Sequence, residues 1–177
     1  RTKFISFEGG YHGDTVGAMS VGSSSPWWQT FKTLMFATDI VPFPATFDED
    51  PNVATHEAQA LSQLAELLQK NPQSYAGIFI EPLVQGAAGM RLCRPQFLQE
   101  LAQLARQYGV LLIYDEIMTG FGRTGELFAC LKSNTCPDLI CLSKGLSGGC
   151  LPLAVTVATE KIYQAFYSDD IDRTFFH

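Results

Sequence analysis

The chain has 177 residues, of which 46% are hydrophobic and 17% are charged, as is usual for one soluble globular domain. Its 18 acidic and 12 basic residues give a net charge of −6, which argues against nucleic acid and anionic membranes as partners, because phosphate binding needs a basic surface. No apolar run approaches the roughly 20 residues of a membrane-spanning helix.

Five runs rich in large apolar and β-branched residues predict buried strands, and segments with apolar residues at helical spacing predict helices between them. In chain order the predicted strands are Lys3–Phe7, Ala76–Ile80, Val110–Tyr114, Leu139–Leu142 and Leu153–Ala158. The predicted helices cover residues 58–68, the segment from Pro95 to the C-cap Gly109, and a segment capped by Thr159. This alternation predicts an α/β domain with a mainly parallel sheet and helices on both faces.

Other features of the sequence predict which segments lie at the surface and in which cell compartment the protein works. The acidic, turn-rich segment 46–52 predicts a surface loop to which we assign no function. Five cysteines without a C-x-x-C pair indicate reduced thiols in the cytoplasm, and we expect no metal site. The chain begins at Arg1 without a signal peptide, so we expect a piece of a longer protein. The aromatic pairs 27–28 and 175–176 are candidates for apolar packing or exposed surface.

Polar residues follow three of the predicted strands. Glu81 and Asp115 come directly after an apolar run, and the run Leu139–Leu142 leads into Ser143-Lys144. In a parallel sheet all three fall at the carboxyl edge, where ligands of open α/β sheets bind. The alternative is that each strand simply ends in water, which explains any one of these residues but explains all three less well.

Lys144 is the most informative of these residues. It precedes Gly145-Leu146-Ser147-Gly148-Gly149, whose small side chains leave room for a bulky group. A lysine in such a place can be a nucleophile toward an aldehyde. A solvated surface lysine is the alternative, and a P-loop lysine is excluded because no G-x-x-x-x-G-K-[ST] pattern precedes it. Asp115 follows large apolar residues, and a buried carboxylate there needs a cationic partner such as the protonated ring nitrogen of pyridoxal phosphate.

Four ordered motifs extend over essentially the whole chain. They are Gly10-Tyr11-His12-Gly13, Glu81-Pro82-Leu83-Val84-Gln85-Gly86, Asp115-Glu116-Ile117-Met118-Thr119-Gly120-Phe121-Gly122-Arg123-Thr124-Gly125 and Ser143-Lys144-Gly145. These motifs resemble those of the class III aminotransferases, which are pyridoxal-phosphate enzymes of fold type I. The resemblance implies that residues 1–177 are the central part of the large cofactor-binding domain. It also implies that an N-terminal segment, the phosphate-binding loops and a C-terminal small domain are absent from this chain.

The resemblance further implies roles around the cofactor ring. Tyr11 would stack on one face of the ring, with His12 beside it in the same loop, and Ile117 would pack on the opposite face. Asp115 would hold the ring nitrogen protonated. Gln85 would reach the phenolic oxygen of the cofactor. The alternative for Tyr11 is an ordinary place in the core.

The remaining implied roles concern the substrate. Lys144 would bond to the cofactor aldehyde and, once displaced by substrate, move the proton between the substrate carbon and the cofactor. Glu81 and Arg123 would shape the substrate side and support the loop that follows Asp115. For Arg123, a purely structural ion pair is the alternative.

A narrower likeness connects the chain to the biotin-pathway branch of the family. Residues 89–91, 122–130, 137–149 and 151–154 carry that likeness. It implies a cytoplasmic homodimer that moves an amino group from a small-molecule donor to a keto acceptor. An ω-amino-acid:pyruvate or 4-aminobutyrate transaminase is the sister alternative. A non-catalytic remnant of the fold is a third, disfavoured because Lys144 and Asp115 are both present.

Overall fold

A six-stranded sheet lies at the centre of the structure, a computed structural model that describes residues 1–23 and 26–174. The strands are β1 Lys3–Phe7, β2 Thr38–Val41, β3 Tyr75–Ile80, β4 Val84–Gln85, β5 Arg91–Leu92, β6 Leu111–Asp115, β7 Leu139–Leu142 and β8 Val155–Ala158. The sheet has the order β2-β1-β3-β6-β7-β8, and all neighbours are parallel except β7 and β8. Strands β4 and β5 form a separate antiparallel pair.

Helices connect the strands. They are α1 Val16–Val21, α2 Val53–Lys70, α3 Pro95–Tyr108, α4 Ala129–Ser133 and α5 Glu160–Phe166, with 3-10 helices at Pro26–Leu34 and Lys144–Leu146. Helix α3 has the predicted bounds, because Pro95 opens it and Gly109 ends it in the left-handed conformation at φ 59°. Within the described part of the chain, none of these helices has the length and hydropathy that crossing a bilayer requires.

The core lies between one face of the sheet and helices α2 and α3. Alternate strand residues point to this face, because side chains of a strand alternate between the two sides of a sheet. The buried cluster includes Ile5, Phe7, Ile78, Ile80, Leu112 and Tyr114 from the sheet, and Leu64, Leu68, Phe97, Leu98 and Leu101 from the helices. On the opposite face, the ring of Phe4 lies 5.5 Å from that of Phe36, near α1 and the first 3-10 helix. The predicted α/β class with a mainly parallel sheet is therefore confirmed.

Several short elements were not predicted. Strand β2 has four residues, and its sequence Thr-Asp-Ile-Val is too short and too polar to register as an apolar run. Helix α4 has only five residues, which is below the length at which helical periodicity can be recognised. Thr159 does stand at the N-cap position of α5, but its side chain makes no capping hydrogen bond. The aromatic pair 175–176 lies outside the described residues.

The acidic segment 46–52 differs from the predicted surface loop at one residue. Asp50 is buried, and its Oδ2 accepts a hydrogen bond from Thr46 Oγ1 at 3.0 Å. Its Oδ1 accepts from the backbone N–H of Asn52 at 2.8 Å, and His56 Nδ1 lies 3.7 Å from the carboxylate. Because these partners stand on both sides of the start of α2, Asp50 anchors the loop to that helix.

Candidate active site

A cavity of about 490 Å³ opens at the carboxyl ends of the central strands. The chain leaves β1, β3, β6 and β7 at this edge, as expected for parallel neighbours. Six of the eight predicted site residues line the cavity, namely Tyr11, His12, Glu81, Asp115, Ile117 and Lys144. The three strand ends that the sequence analysis singled out therefore meet at one place.

Asp115 and His12 form a close pair on the cavity wall. Asp115 is the last residue of β6, and its Oδ2 lies 2.8 Å from His12 Nδ1. Its Oδ1 accepts the backbone N–H of Ile117 at 3.1 Å. The side chain of Asp115 is only 8% exposed and that of His12 only 4%. Because water cannot solvate a carboxylate buried to this extent, these hydrogen bonds offset the cost of burying it. The charge of Asp115 is thereby fixed in position at the edge of the sheet.

Glu81 connects two loops that flank the same cavity. Its Oε1 accepts the backbone N–H of Tyr11 at 3.0 Å, and its Oε2 accepts that of Gly86 at 2.9 Å. Burial raises the pKa of Glu81, and the two backbone N–H groups oppose that shift. The carboxylate therefore holds the Tyr11 loop against the turn that follows β4.

The Tyr11 side chain has a partner of its own. Its hydroxyl donates a hydrogen bond to Asp14 Oδ2 at 3.0 Å. Burial and then this bond raise the pKa of the phenol, so Tyr11 stays protonated at neutral pH. The ring is thus held at both ends on the wall of the cavity, since Glu81 binds its backbone and Asp14 its hydroxyl.

Lys144 begins a short 3-10 helix directly after β7 and Ser143. Its backbone has φ 41°, a conformation that non-glycine residues adopt rarely. Where such residues do adopt it, they cluster at functional sites. The next residue, Gly145, leaves no room for a side chain, because a Cβ there would lie 2.8 Å from Cδ2 of Phe121. The turn that presents Lys144 is therefore packed tightly against the loop after β6.

Two predicted residues do not line this cavity. Gln85 is fully buried, and its Nε2 donates to the backbone carbonyl of Glu8 at 3.0 Å. Arg123 lines a separate cavity of about 590 Å³ together with Lys132 and the acidic residues 48–50. The structure brings neither residue to the cavity of Lys144.

Sequence reasoning missed three residues near the site. Met90 and Met118 line the cavity but carry no polar signal. Glu116 belongs to the motif that begins at Asp115, and it is fully buried, with two backbone N–H groups donating to its carboxylate. The signal available in the sequence was a second carboxylate directly after Asp115 at the end of an apolar strand.

The cavity can hold a flat aromatic group with a cationic nitrogen and an aldehyde. Asp115 supplies a fixed negative charge for the nitrogen, and Lys144 supplies an amine for the aldehyde. Tyr11 and Ile117 supply an aromatic and an apolar wall. One buried polar atom beside this site, His12 Nε2, has no hydrogen-bond partner among the described residues. The resemblance assigns these side chains, together with Gln85, to the cofactor ring.

The sequence matches known proteins over its whole length. The family model described as aminotransferase class-III matches residues 1–176. The adenosylmethionine-8-amino-7-oxononanoate aminotransferase of Synechococcus elongatus is 52% identical over 177 residues, which are 100% of this chain and 41% of the relative. The protein of that name from Anoxybacillus flavithermus is 42% identical over 181 residues, 100% of this chain and 39% of the relative.

Solved structures of similar proteins have the same fold. The enzyme of the same name from Methanocaldococcus jannaschii has a TM-score of 0.85 at 37% identity, covering 100% of this chain and 39% of that one. A PLP-bound amine transaminase from an uncultivated Pseudomonas species has a TM-score of 0.88 at 30% identity, covering 100% of this chain and 41% of that one. The chain thus spans about 40% of the length of these relatives.

Proposed function

The chain belongs to the class-III aminotransferase family, and from this premise we propose that the full-length protein is a pyridoxal-phosphate-dependent aminotransferase. The main support is the cavity in which Lys144 and the buried His12–Asp115 pair come together. Residues 1–177 would form the central part of its large cofactor-binding domain.

We further propose that the substrate is the ketone of 8-amino-7-oxononanoate, which the enzyme would convert to 7,8-diaminononanoate in biotin biosynthesis. S-adenosylmethionine would be the amino donor. The support is that two relatives named adenosylmethionine-8-amino-7-oxononanoate aminotransferase match all of this chain at 42% and 52% identity. The proposed assembly is a cytoplasmic homodimer.

The residues of the cavity would hold the cofactor by its ring. When bound, pyridoxal phosphate supplies an aldehyde that reacts with amines and a ring that draws electrons from the substrate carbon. Asp115, oriented by His12, would hold a proton at the ring nitrogen. Tyr11 and Ile117 would contact the two faces of the ring, and the apolar side chain of Met118 would help exclude water.

Lys144 would carry the proton transfers. Its Nζ would bind the cofactor and, when the substrate amine takes that place, accept the proton of the donor carbon and pass it to the aldehyde carbon of the cofactor. In the acceptor half-reaction Nζ would move the proton in the opposite direction. Glu81 would act through the Tyr11 loop, since its carboxylate accepts the backbone N–H of Tyr11. Transamination needs both half-reactions, so the same lysine would serve the donor and the acceptor in turn.

The test is a comparison of amino donors with the full-length protein. With 8-amino-7-oxononanoate as acceptor, S-adenosylmethionine should support faster turnover than lysine, β-alanine or 4-aminobutyrate, and Lys144→Ala should abolish it. Faster transfer from β-alanine or 4-aminobutyrate to pyruvate would favour the sister activity instead. If no donor supports turnover and the lysine does not react with the cofactor, the fold is a non-catalytic remnant. Sedimentation of the same sample should give the mass of a dimer.

A further inference from the structure

Glu116 is a buried carboxylate to which the proposed reaction assigns no step. Its side chain is fully buried, directly after Asp115 in the sequence. Oε2 accepts the backbone N–H of Ala129 at 2.6 Å, and Oε1 accepts that of Cys130 at 2.9 Å. These are the first two N–H groups of helix α4, which have no acceptor within the helix. The carboxylate therefore fastens the start of α4 to the end of β6.

The backbone of Glu116 is held as firmly as its side chain. Its N–H donates to the carbonyl of Cys141 in β7 at 3.0 Å, and its carbonyl accepts the N–H of Gly120 at 2.9 Å. A Cβ on Gly120 would lie 2.8 Å from that carbonyl oxygen, so this turn requires glycine. Both ends of the loop 117–128 are thus attached to one residue.

That loop supplies part of the cavity and also packs against the Lys144 turn. Ile117 and Met118 line the cavity at its start. Farther on, Phe121 has φ 61° and contacts the position of Gly145, next to Lys144. The loop therefore touches the site at two places.

A second aromatic ring links Phe121 to the helix that Glu116 binds. The rings of Phe121 and Phe128 meet edge to face, with centroids 5.5 Å apart. Phe128 is the residue directly before α4, the helix whose N-terminus Glu116 holds. The Glu116 carboxylate thus holds Ala129, the sequence neighbour of Phe128. Ring packing then leads from Phe128 to Phe121, which lies against Gly145 beside Lys144.

We propose that Glu116 is a positioning residue that, by closing the loop 117–128, fixes the turn that places Lys144 in the cavity. A carboxylate suits this task because two adjacent N–H groups at a helix N-terminus need two acceptor oxygens and carry partial positive charge. A glutamine offers one acceptor oxygen and turns an NH₂ group toward the second donor. The consequence for catalysis rests on the proposed function, whereas the coupling of the two segments is a property of the chain itself.

The coupling is measured by hydrogen–deuterium exchange on the full-length protein without cofactor. Glu116→Gln should speed exchange roughly tenfold in peptides that cover both 117–131 and 143–149, because a buried hydrogen bond is lost and local opening becomes easier. The matched control is Glu126→Gln, which removes an exposed carboxylate from the same loop and should leave both segments unchanged. Faster exchange confined to 128–131 would reduce Glu116 to a helix cap and overturn the coupling.

A second variant separates the relay from the cap. Phe121→Leu keeps the hydrogen bonds of Glu116 and should speed exchange at 143–149 while Ala129 and Cys130 stay slow. Unchanged exchange at 143–149 in this variant would also overturn the proposal, and this holds even if Glu116→Gln fails to fold.

A kinetic readout connects the coupling to the reaction. In the cofactor-loaded enzyme, Glu116→Gln should lower kcat on the order of tenfold with KM for the donor nearly unchanged, and Glu116→Asp should recover part of the loss. If KM for the donor rose about tenfold while kcat stayed at the wild-type value, the substitution would not have moved Lys144 from its catalytic position, and the proposal would be overturned. Should no donor support turnover, the exchange result still decides the coupling, because it needs neither substrate nor cofactor.

Discussion

Replacing Asp115 by asparagine removes one buried negative charge and keeps the shape of the side chain. In the native structure its two oxygens meet His12 Nδ1 at 2.8 Å and the N–H of Ile117 at 3.1 Å. The asparagine oxygen can still accept from Ile117. Its NH₂ group would face His12, whose Nδ1 would then have to accept a hydrogen bond rather than donate one. The substitution therefore changes the histidine tautomer and the charge, but not the packing.

The expected magnitudes for stability and for activity differ. A hydrogen bond to a charged group contributes about 1.5–3 kcal/mol and a neutral one about 0.5–1.5 kcal/mol. The substitution turns both hydrogen bonds of Asp115 from charged to neutral, which should lower the free energy of unfolding by about 2 kcal/mol. Relief of the buried charge offsets part of that loss. The missing charge should cost more in the reaction, roughly 10²–10³ in kcat, which is the range for a preorganised electrostatic group.

The assay compares the two quantities in the full-length protein. Urea unfolding of the cofactor-free Asp115→Asn variant gives the stability, and kcat/KM of the loaded enzyme gives the activity. Asp169→Asn, which changes an exposed carboxylate, is the matched control and should alter neither. Retention of more than about a tenth of the wild-type kcat/KM by Asp115→Asn would refute the assignment.

Four other outcomes are expected. Borohydride reduction of the loaded enzyme followed by peptide mapping should place the cofactor on Lys144, and its appearance on Lys132 would overturn that assignment. Leu98→Ala, at a fully buried core position, should lower the free energy of unfolding by about 2–5 kcal/mol in urea titrations. Burial raises the pKa of the Cys93 thiol to about 12, so iodoacetamide at pH 8.5 should label the exposed Cys136 but not Cys93 in the folded protein. Because the unfolded thiol ionises first, stability should fall as the pH rises from about 9 toward 12.

The parts of the fold that could be predicted are those with a strong local signal. Helix α3 combines a 14-residue apolar pattern with Pro95 at its start and Gly109 at its end, and the structure has these bounds. The continuous apolar strands predicted a parallel sheet, and parallel order alone brings their carboxyl ends together. That is why Glu81, Asp115 and Lys144 could be assigned to one edge without any knowledge of their contacts.

The parts that could not be predicted depend on distant partners. The resemblance places Gln85 at the cofactor, but it does not predict that the amide nitrogen donates to the backbone carbonyl of Glu8, a contact across 77 positions of sequence. Asp50 stands in an acidic, turn-rich run, which predicts exposure. It is buried, with its carboxylate accepting the backbone N–H of Asn52 at the start of α2. Thr159 matches a capping pattern, yet its hydroxyl makes no capping bond. Composition and spacing do not contain such contacts.

The different settings of Asp115 and Glu116 follow from the alternation of side chains along an extended chain. Tyr114 belongs to the core beneath α2 and α3, and Glu116, two positions later, points to the same side and reaches α4. Asp115 lies between them and points to the other side, where His12 contacts both it and the ring of Phe79. Two adjacent carboxylates therefore enter two different environments without any change of backbone direction. One is left to face the cavity, and the other fastens the loop that builds its wall.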